Sequence, residues 1–155
     1  MELYDVMLRE FEYADLSYSL IVSGGCFGQL KRHRIASITW KDYDPKLGVT
    51  VPDSVKAVEE EARFRKVIEQ VDRLYYRIEQ TLPGVGSYIL TNAHRRRVLM
   101  KVNVRELYHI SRLREDPTAQ WDIRDIAHKM STLAKKAMPI TTMLLGGKSY
   151  YPEIY

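Results

Sequence analysis

The chain has 155 residues, 45% of them hydrophobic and 28% charged, and its 24 Lys+Arg against 20 Asp+Glu leave a net charge of +4. That composition describes one soluble globular domain with enough length to bury a core, and it excludes a mostly disordered chain. No run reaches the roughly 18 apolar residues that a bilayer span needs; the opening Met1-Glu2-Leu3-Tyr4-Asp5 lacks the charge pattern of a signal peptide; and the single Cys26 excludes internal disulfides and a thiolate-only metal site.

Leu16, Tyr18, Leu20 and Val22 alternate with Ser17, Ser19 and Ile21, the period of a strand with one buried face. Gly24-Gly25 predicts a turn, Cys26 to His33 a short helix, and Ile35, Ile38 and Trp40 a strand. Asp44-Pro45-Lys46-Leu47-Gly48 reads as a loop. From Asp53 or Ser54, a capping position, one long helix is expected. Its apolar face would carry Phe64, Val67, Ile68, Val71, Leu74, Tyr75, Ile78 and Leu82, and Pro83-Gly84 would end it. Residues 83–94 fit either a loop or a second helical piece around Ser87 to Ala93.

Val98, Met100 and Val102 predict another strand. Asn103 is then placed to cap a helix through Arg114, with Val104, Leu107, Tyr108 and Ile110 inward and Arg105, His109 and Arg112 sharing another face. Asp116 and Pro117 are expected to start the last helix, whose stripe is Ala119, Ile123, Ile126, Met130, Leu133 and Ala137.

Three basic clusters fall beside junctions between these elements: Lys31-Arg32-His33-Arg34, Arg95-Arg96-Arg97, and Arg105 with Arg112 and Arg114. Guanidinium forks match phosphate and carboxylate oxygens bidentately, and element ends leave backbone donors to join them. An anionic ligand follows; the competing reading is a solvated basic surface. Cys26 reads as a small buried residue and Trp121 as core packing. His33 has no partner at metal-ligand spacing, so no metal site is expected. Gly24-Gly25 lacks the remaining glycines of a dinucleotide-binding loop.

Gln29-Leu30-Lys31-Arg32-His33-Arg34-Ile35-Ala36-Ser37 resembles the fingerprint R-H-R-x-x-S-x-N-x-x-S-x-R of the flavin-dependent thymidylate synthases, commonly preceded by a Gln. Asn103-Val104-Arg105-Glu106-Leu107 and the stretch from Leu113-Arg114 through Ala119-Gln120-Trp121-Asp122-Ile123-Arg124 are similar to that family's N-x-R-x-L…L-R…A-Q-W-E-I-R segment. The two blocks keep the family's order, with a long helix between them.

The resemblance implies an α+β fold, an antiparallel sheet flanked by long helices, in a single domain over residues 1–155 that begins inside the family's usual N-terminal part. It implies a cytoplasmic homo-oligomer, a dimer or tetramer, whose flavin sites lie between subunits. It also implies a reaction: dUMP is methylated to dTMP with the methylene of methylenetetrahydrofolate, and reducing equivalents arrive from NADPH through FAD. By resemblance Arg32, His33, Arg34, Ser37, Asn103 and Arg105 contact the flavin. Gln29 and Arg114 bind the nucleotide, and Arg114, facing the pyrimidine, is the candidate catalytic residue.

The departures concern dUMP. The fingerprint's asparagine, second serine and last arginine fall on Thr39, Asp42 and Asp44, in the loop that in the family wraps the dUMP phosphate. An anion replacing a cation about 4 Å from a phosphate adds roughly 4 kcal/mol of repulsion at an effective dielectric near 20. A second nucleotide-binding arginine aligns with Ser87, and positions usually held by Asn and His carry His109 and Thr118. Three functions therefore compete: a thymidylate synthase or half-enzyme, a lapsed copy with a structural or regulatory role, and a basic nucleic-acid-binding module. The modest net charge and the lack of a nucleic-acid-binding motif weigh against the third.

Overall fold

The structure is a computed structural model that describes residues 5–150. Strands β1 (Asp15–Ser23), β2 (Ser37–Trp40) and β3 (Arg95–Asn103) form a three-stranded antiparallel sheet in the order β1-β3-β2. Helices α1 (Gly24–Leu30), α2 (Asp53–Ala57), α3 (Glu61–Thr81), α4 (Val104–Arg114) and α5 (Trp121–Ala137) complete the α+β architecture that the sequence predicts. The central strand is the most regular: Arg96, Val98, Met100 and Val102 alternate as buried residues with exposed Arg97, Leu99 and Lys101, as a pleated strand with one covered face requires.

The chain divides into two compact units. One comprises the residues up to Leu20, Cys26–Thr39 and Val98 onward; the other comprises Ile21–Gly25 and Trp40–Arg97.

In the first unit α4 packs on α5 and on a 3-10 turn at Arg9–Glu12. Leu30, Met100, Val104, Leu107, Tyr108, Ile110, Ile123 and Met130 are shut off from solvent, and the Phe11 ring meets Tyr108 edge-on at 5.9 Å. Tyr18 donates its hydroxyl to the carbonyl of Met130 at 3.1 Å, and burial raises its pKa to about 12. Cys26 is fully buried and its thiol is pushed up by that burial, with Asp122 and Asp125 adding to it. The buried stripe of α5 is Ile123, Ala127, Met130 and Ala134, while Leu133 and Ala137 face out. Asp116 does not start this helix. Its carboxylate accepts from the backbone and hydroxyl of Thr118 and from Ser149 at 2.8 Å, and Gln120 caps α5 by accepting from the Ile123 N–H at 3.1 Å.

In the second unit the single long helix expected from Asp53 is two. After α2 the N–H of Glu59 bonds the carbonyl of Lys56 and the N–H of Glu60 bonds that of Val55, with Glu59 at φ 60. This is a Schellman termination in which a glutamate holds the left-handed position usually given to glycine. Along α3 only Ile68 is buried; Val67, Leu74 and Leu82 of the expected inward face stand exposed. Gly24-Gly25 opens α1 rather than making a separate turn. A Cβ on Gly24 would fall 2.5 Å from the Tyr43 hydroxyl, so close approach explains that glycine. Residues 83–94 contain a short 3-10 turn at Gly86–Ile89. Buried His94 accepts the Thr91 N–H on Nδ1 at 3.0 Å, which leaves Nε2–H to donate to Asp72 at 2.9 Å and tie α3 to the start of β3.

Candidate functional site

The site is built chiefly by two segments of the first unit, which Met7, Arg9 and Glu12 join from a third. Asn103, the last residue of β3, turns the chain into α4 and caps it: its side-chain oxygen accepts the Glu106 N–H at 2.8 Å. With Val104, Leu107 and Ile110 locked in the core, the helical period brings Arg105, His109 and Arg112 to one flank. The other segment follows α1. Leu30 is fully buried, and the N–H groups of Arg32 and His33 bond back to Gln29 and Leu30 at 3.2 and 3.1 Å. This tight turn buries His33 between exposed Arg32 and Arg34.

Both segments line one cleft of about 700 Å³, within the size range of small-molecule sites. Five arginines reach it, Arg9, Arg32, Arg34, Arg105 and Arg112, against the two carboxylates of Glu12 and Glu106. His33 and Asn103 also line it. The cleft is therefore suited to an anion. Arg105 is already oriented, donating Nε to the Met7 carbonyl and Nη1 to Glu12, each at 2.9 Å. Hydrogen bonding from Arg9 chiefly, with help from Arg105, holds the Glu12 carboxyl below its ordinary range.

A chain of polar groups, buried at Glu106 and His33 and half-buried at Arg114 and Gln29, runs beside the cleft. Arg114 donates Nε to His33 Nε2 at 3.0 Å and Nη1 to Gln29 Oε1 at 3.1 Å. An arginine is always a donor, so Nε2 carries the lone pair and the imidazole hydrogen sits on Nδ1, from which it donates to Glu106 Oε1 at 3.2 Å. Desolvation, then the nearby Arg32 charge, lowers the Arg114 pKa; two cations held close together favour an anion beside them.

Of the residues singled out by sequence, Arg32, His33, Arg34, Asn103 and Arg105 converge on the cleft; Gln29 and Arg114 are not among the residues lining it, but Arg114 bonds the cleft residue His33 and Gln29 bonds Arg114. Ser37 is exposed on β2 and is not among the residues lining the cleft. Sequence reasoning passed over Glu106, Glu12 and Arg9. For Glu106 a signal existed: it stands two residues after Val104 and four before Ile110, a charge within an inward-facing stripe.

The second unit holds the Arg95-Arg96-Arg97 cluster and the Asp42 and Asp44 positions that depart from the fingerprint. Arg96 lies over the Tyr43 ring at 4.3 Å, donates Nε to the Lys41 carbonyl at 2.9 Å and stands 3.7 Å from Asp42. Arg95 donates to the Thr50 hydroxyl at 2.9 Å. These two arginines hold their own loop.

The profile of a family described as thymidylate synthase complementing protein matches residues 7–140. A flavin-dependent thymidylate synthase of Saccharolobus solfataricus is 36% identical over 118 residues, 72% of this chain and 45% of that protein. One from Thermococcus onnurineus is 35% identical over 134 residues, 77% and 54% of the two chains. A Chlamydia muridarum protein named UPF0159 protein is 29% identical over 123 residues, 79% of this chain and 23% of that one. The chain thus spans about half the length of these relatives or less. With a profile match over most of its length and both fingerprint segments meeting at one basic cleft, the chain belongs to the thymidylate synthase complementing protein family.

Proposed function

We propose that this chain is a flavin-binding domain of the thymidylate synthase family, with FAD held in the arginine-lined cleft. The observation that carries the reading is the convergence of two segments some seventy residues apart, Arg32 to Arg34 and Asn103 to Arg112, on that one cleft. The donor set fits the group: Arg32, Arg34 and Arg105 offer forks to a pyrophosphate, and Asn103 offers an amide to the edge of a ring system. Ser37 stays in the proposed set only by its match to the fingerprint's serine. Bound there, FAD would supply the reducing equivalents, drawn from NADPH, for the methylation of dUMP by methylenetetrahydrofolate. The protein's own part is to bind, orient and stabilise charge. Arg114 would hold the pyrimidine against its developing negative charge, with Gln29 fixing the Nη1 edge of that guanidinium.

The reading makes the whole chain one domain of the family kind, acting in the cytoplasm as a homo-oligomer. The exposed apolar face of α3, with Val67, Leu74 and Leu82, supports self-association. No described helix is long and apolar enough to cross a membrane.

A second reading, a copy that has lost thymidylate synthesis and serves a structural or regulatory role, is favoured by Asp44, which stands where the fingerprint has an arginine and is engaged within its own loop. The test of the first reading is flavin uptake. A purified protein that carries flavin absorbance, or acquires it on incubation with FAD and gel filtration, supports it; a colourless protein that takes up none overturns it.

A further inference from the structure

We propose that Glu106 is a positioning residue that, through His33, aims Arg114. This rests on the reading of Arg114 as the arginine that faces the nucleotide base. The geometry is continuous. Glu106 Oε1 lies 3.2 Å from His33 Nδ1, His33 Nε2 lies 3.0 Å from Arg114 Nε, and Arg114 Nη1 lies 3.1 Å from Gln29 Oε1. The Glu106 and His33 side chains are 5% and 4% exposed. Glu106 sits on the first turn of α4, where the Asn103 side chain fixes its backbone N–H.

A buried carboxylate is expensive unless its charge is used. Here the carboxylate fixes the imidazole by accepting from Nδ1–H, and so presents Nε2 to Arg114 as a lone pair in one direction. An imidazole with the opposite tautomer would set N–H against N–H and turn the guanidinium away. With Nε and Nη1 both engaged, the Arg114 guanidinium is held in one orientation. The organisation is that of a ligating or catalytic histidine whose second nitrogen is oriented by a carboxylate, except that here the group being oriented is a cation.

The test is nuclear magnetic resonance on the full chain labelled with ¹⁵N. Wild type should show His33 with Nδ1 protonated, a nitrogen–nitrogen coupling from Arg114 Nε to His33 Nε2, and an Arg114 Nε–H protected from solvent exchange. In Glu106→Leu that exchange should quicken by about tenfold or more, the scale of one lost charged hydrogen bond. In Glu106→Gln, which keeps an oxygen acceptor, it should stay within about threefold of wild type. Amide exchange along β3 reports the fold in each variant. Unchanged Arg114 exchange in Glu106→Leu, loosening of Arg114 and β3 alike in both variants, or a wild-type His33 protonated on Nε2 would overturn the proposal. Adding dUMP separates this from the functional reading: shifts at the Arg114 guanidinium support that reading, and none at saturating concentrations counts against it while leaving the three-residue chain measurable.

Discussion

The carboxylate of Asp44 accepts the backbone N–H of Lys46 at 2.9 Å, which makes it the N-cap of the 3-10 turn at Pro45–Leu47. The residue that stands where the fingerprint has a phosphate-binding arginine is thus part of the loop's own hydrogen bonding. Asp42, beside it, is almost fully exposed and faces Arg96 at 3.7 Å.

The first prediction follows from that loop. The isolated chain should bind dUMP poorly and form little dTMP, because binding energy from the remote phosphate is what normally holds the reacting ring in place. Arg114 and Gln29 can orient a pyrimidine but would leave it mostly in solution. The measurement is dUMP affinity together with tritium release from 5-labelled dUMP, with FAD, NADPH and methylenetetrahydrofolate present. Micromolar binding with steady turnover would refute the lapsed reading.

A second prediction separates two jobs of Asn103, whose oxygen caps α4 and which also lines the cleft. Asn103→Asp keeps the acceptor and places a negative charge at the helix N-terminus, so stability should stay within about 0.5 kcal/mol of wild type. FAD affinity should fall, because the amide donors are replaced by a charge that repels phosphate. Asn103→Ala should lose about 1 kcal/mol of stability as well. Urea melts and FAD titrations of the two variants make the comparison; equal FAD affinity in wild type and Asn103→Asp would remove Asn103 from the site.

The two blocks of local pattern were legible for clear reasons. α4 and β3 have caps and periods that a single chain segment dictates, and the buried residues of both fall where the alternation of Val98, Met100 and Val102 and the spacing of Val104, Leu107 and Ile110 put them. What failed depends on distant partners. Gly24 begins α1 with the distant Tyr43 side chain close against it. The break between α2 and α3 uses Glu59 where a glycine would have advertised it. Asp116 was drawn from capping α5 by Thr118 and Ser149, the latter 33 residues away. At the site, the arginines announced themselves by clustering; the charge of Glu106 in an inward-facing stripe marks it locally, but its partner His33 lies 73 residues away and no local pattern names it.

A third prediction concerns acid. Hydrogen bonds from Thr118 and then Ser149 hold the Asp116 carboxyl at about 2, below its ordinary value. A depressed carboxyl contributes stability above its unfolded pKa, near 3.9, and that contribution disappears as pH falls toward about 2. Asp116→Asn should therefore melt below wild type at neutral pH, and the gap should close on acidification through that window. A gap independent of pH from 7 to 2 would assign the loss to packing rather than to charge.

A fourth concerns assembly. With Val67, Leu74 and Leu82 exposed along one helix, light scattering at tens of micromolar should report a dimer or tetramer, and Leu74→Glu should shift it toward monomer. A monomeric wild type would sink this expectation.

The most direct measurement of the central claim is a fluorescence titration of FAD into wild type and Arg34→Ala. Arg34 is an exposed residue that lines the cleft, so its loss should spare the fold. If Arg32, Arg34, Arg105 and Asn103 hold the flavin, wild type binds FAD and Arg34→Ala binds it about 1.5–3 kcal/mol more weakly, the scale of a charged hydrogen bond left unmade. Equal affinities in the two proteins, or binding by neither, would contradict a flavin site in this cleft.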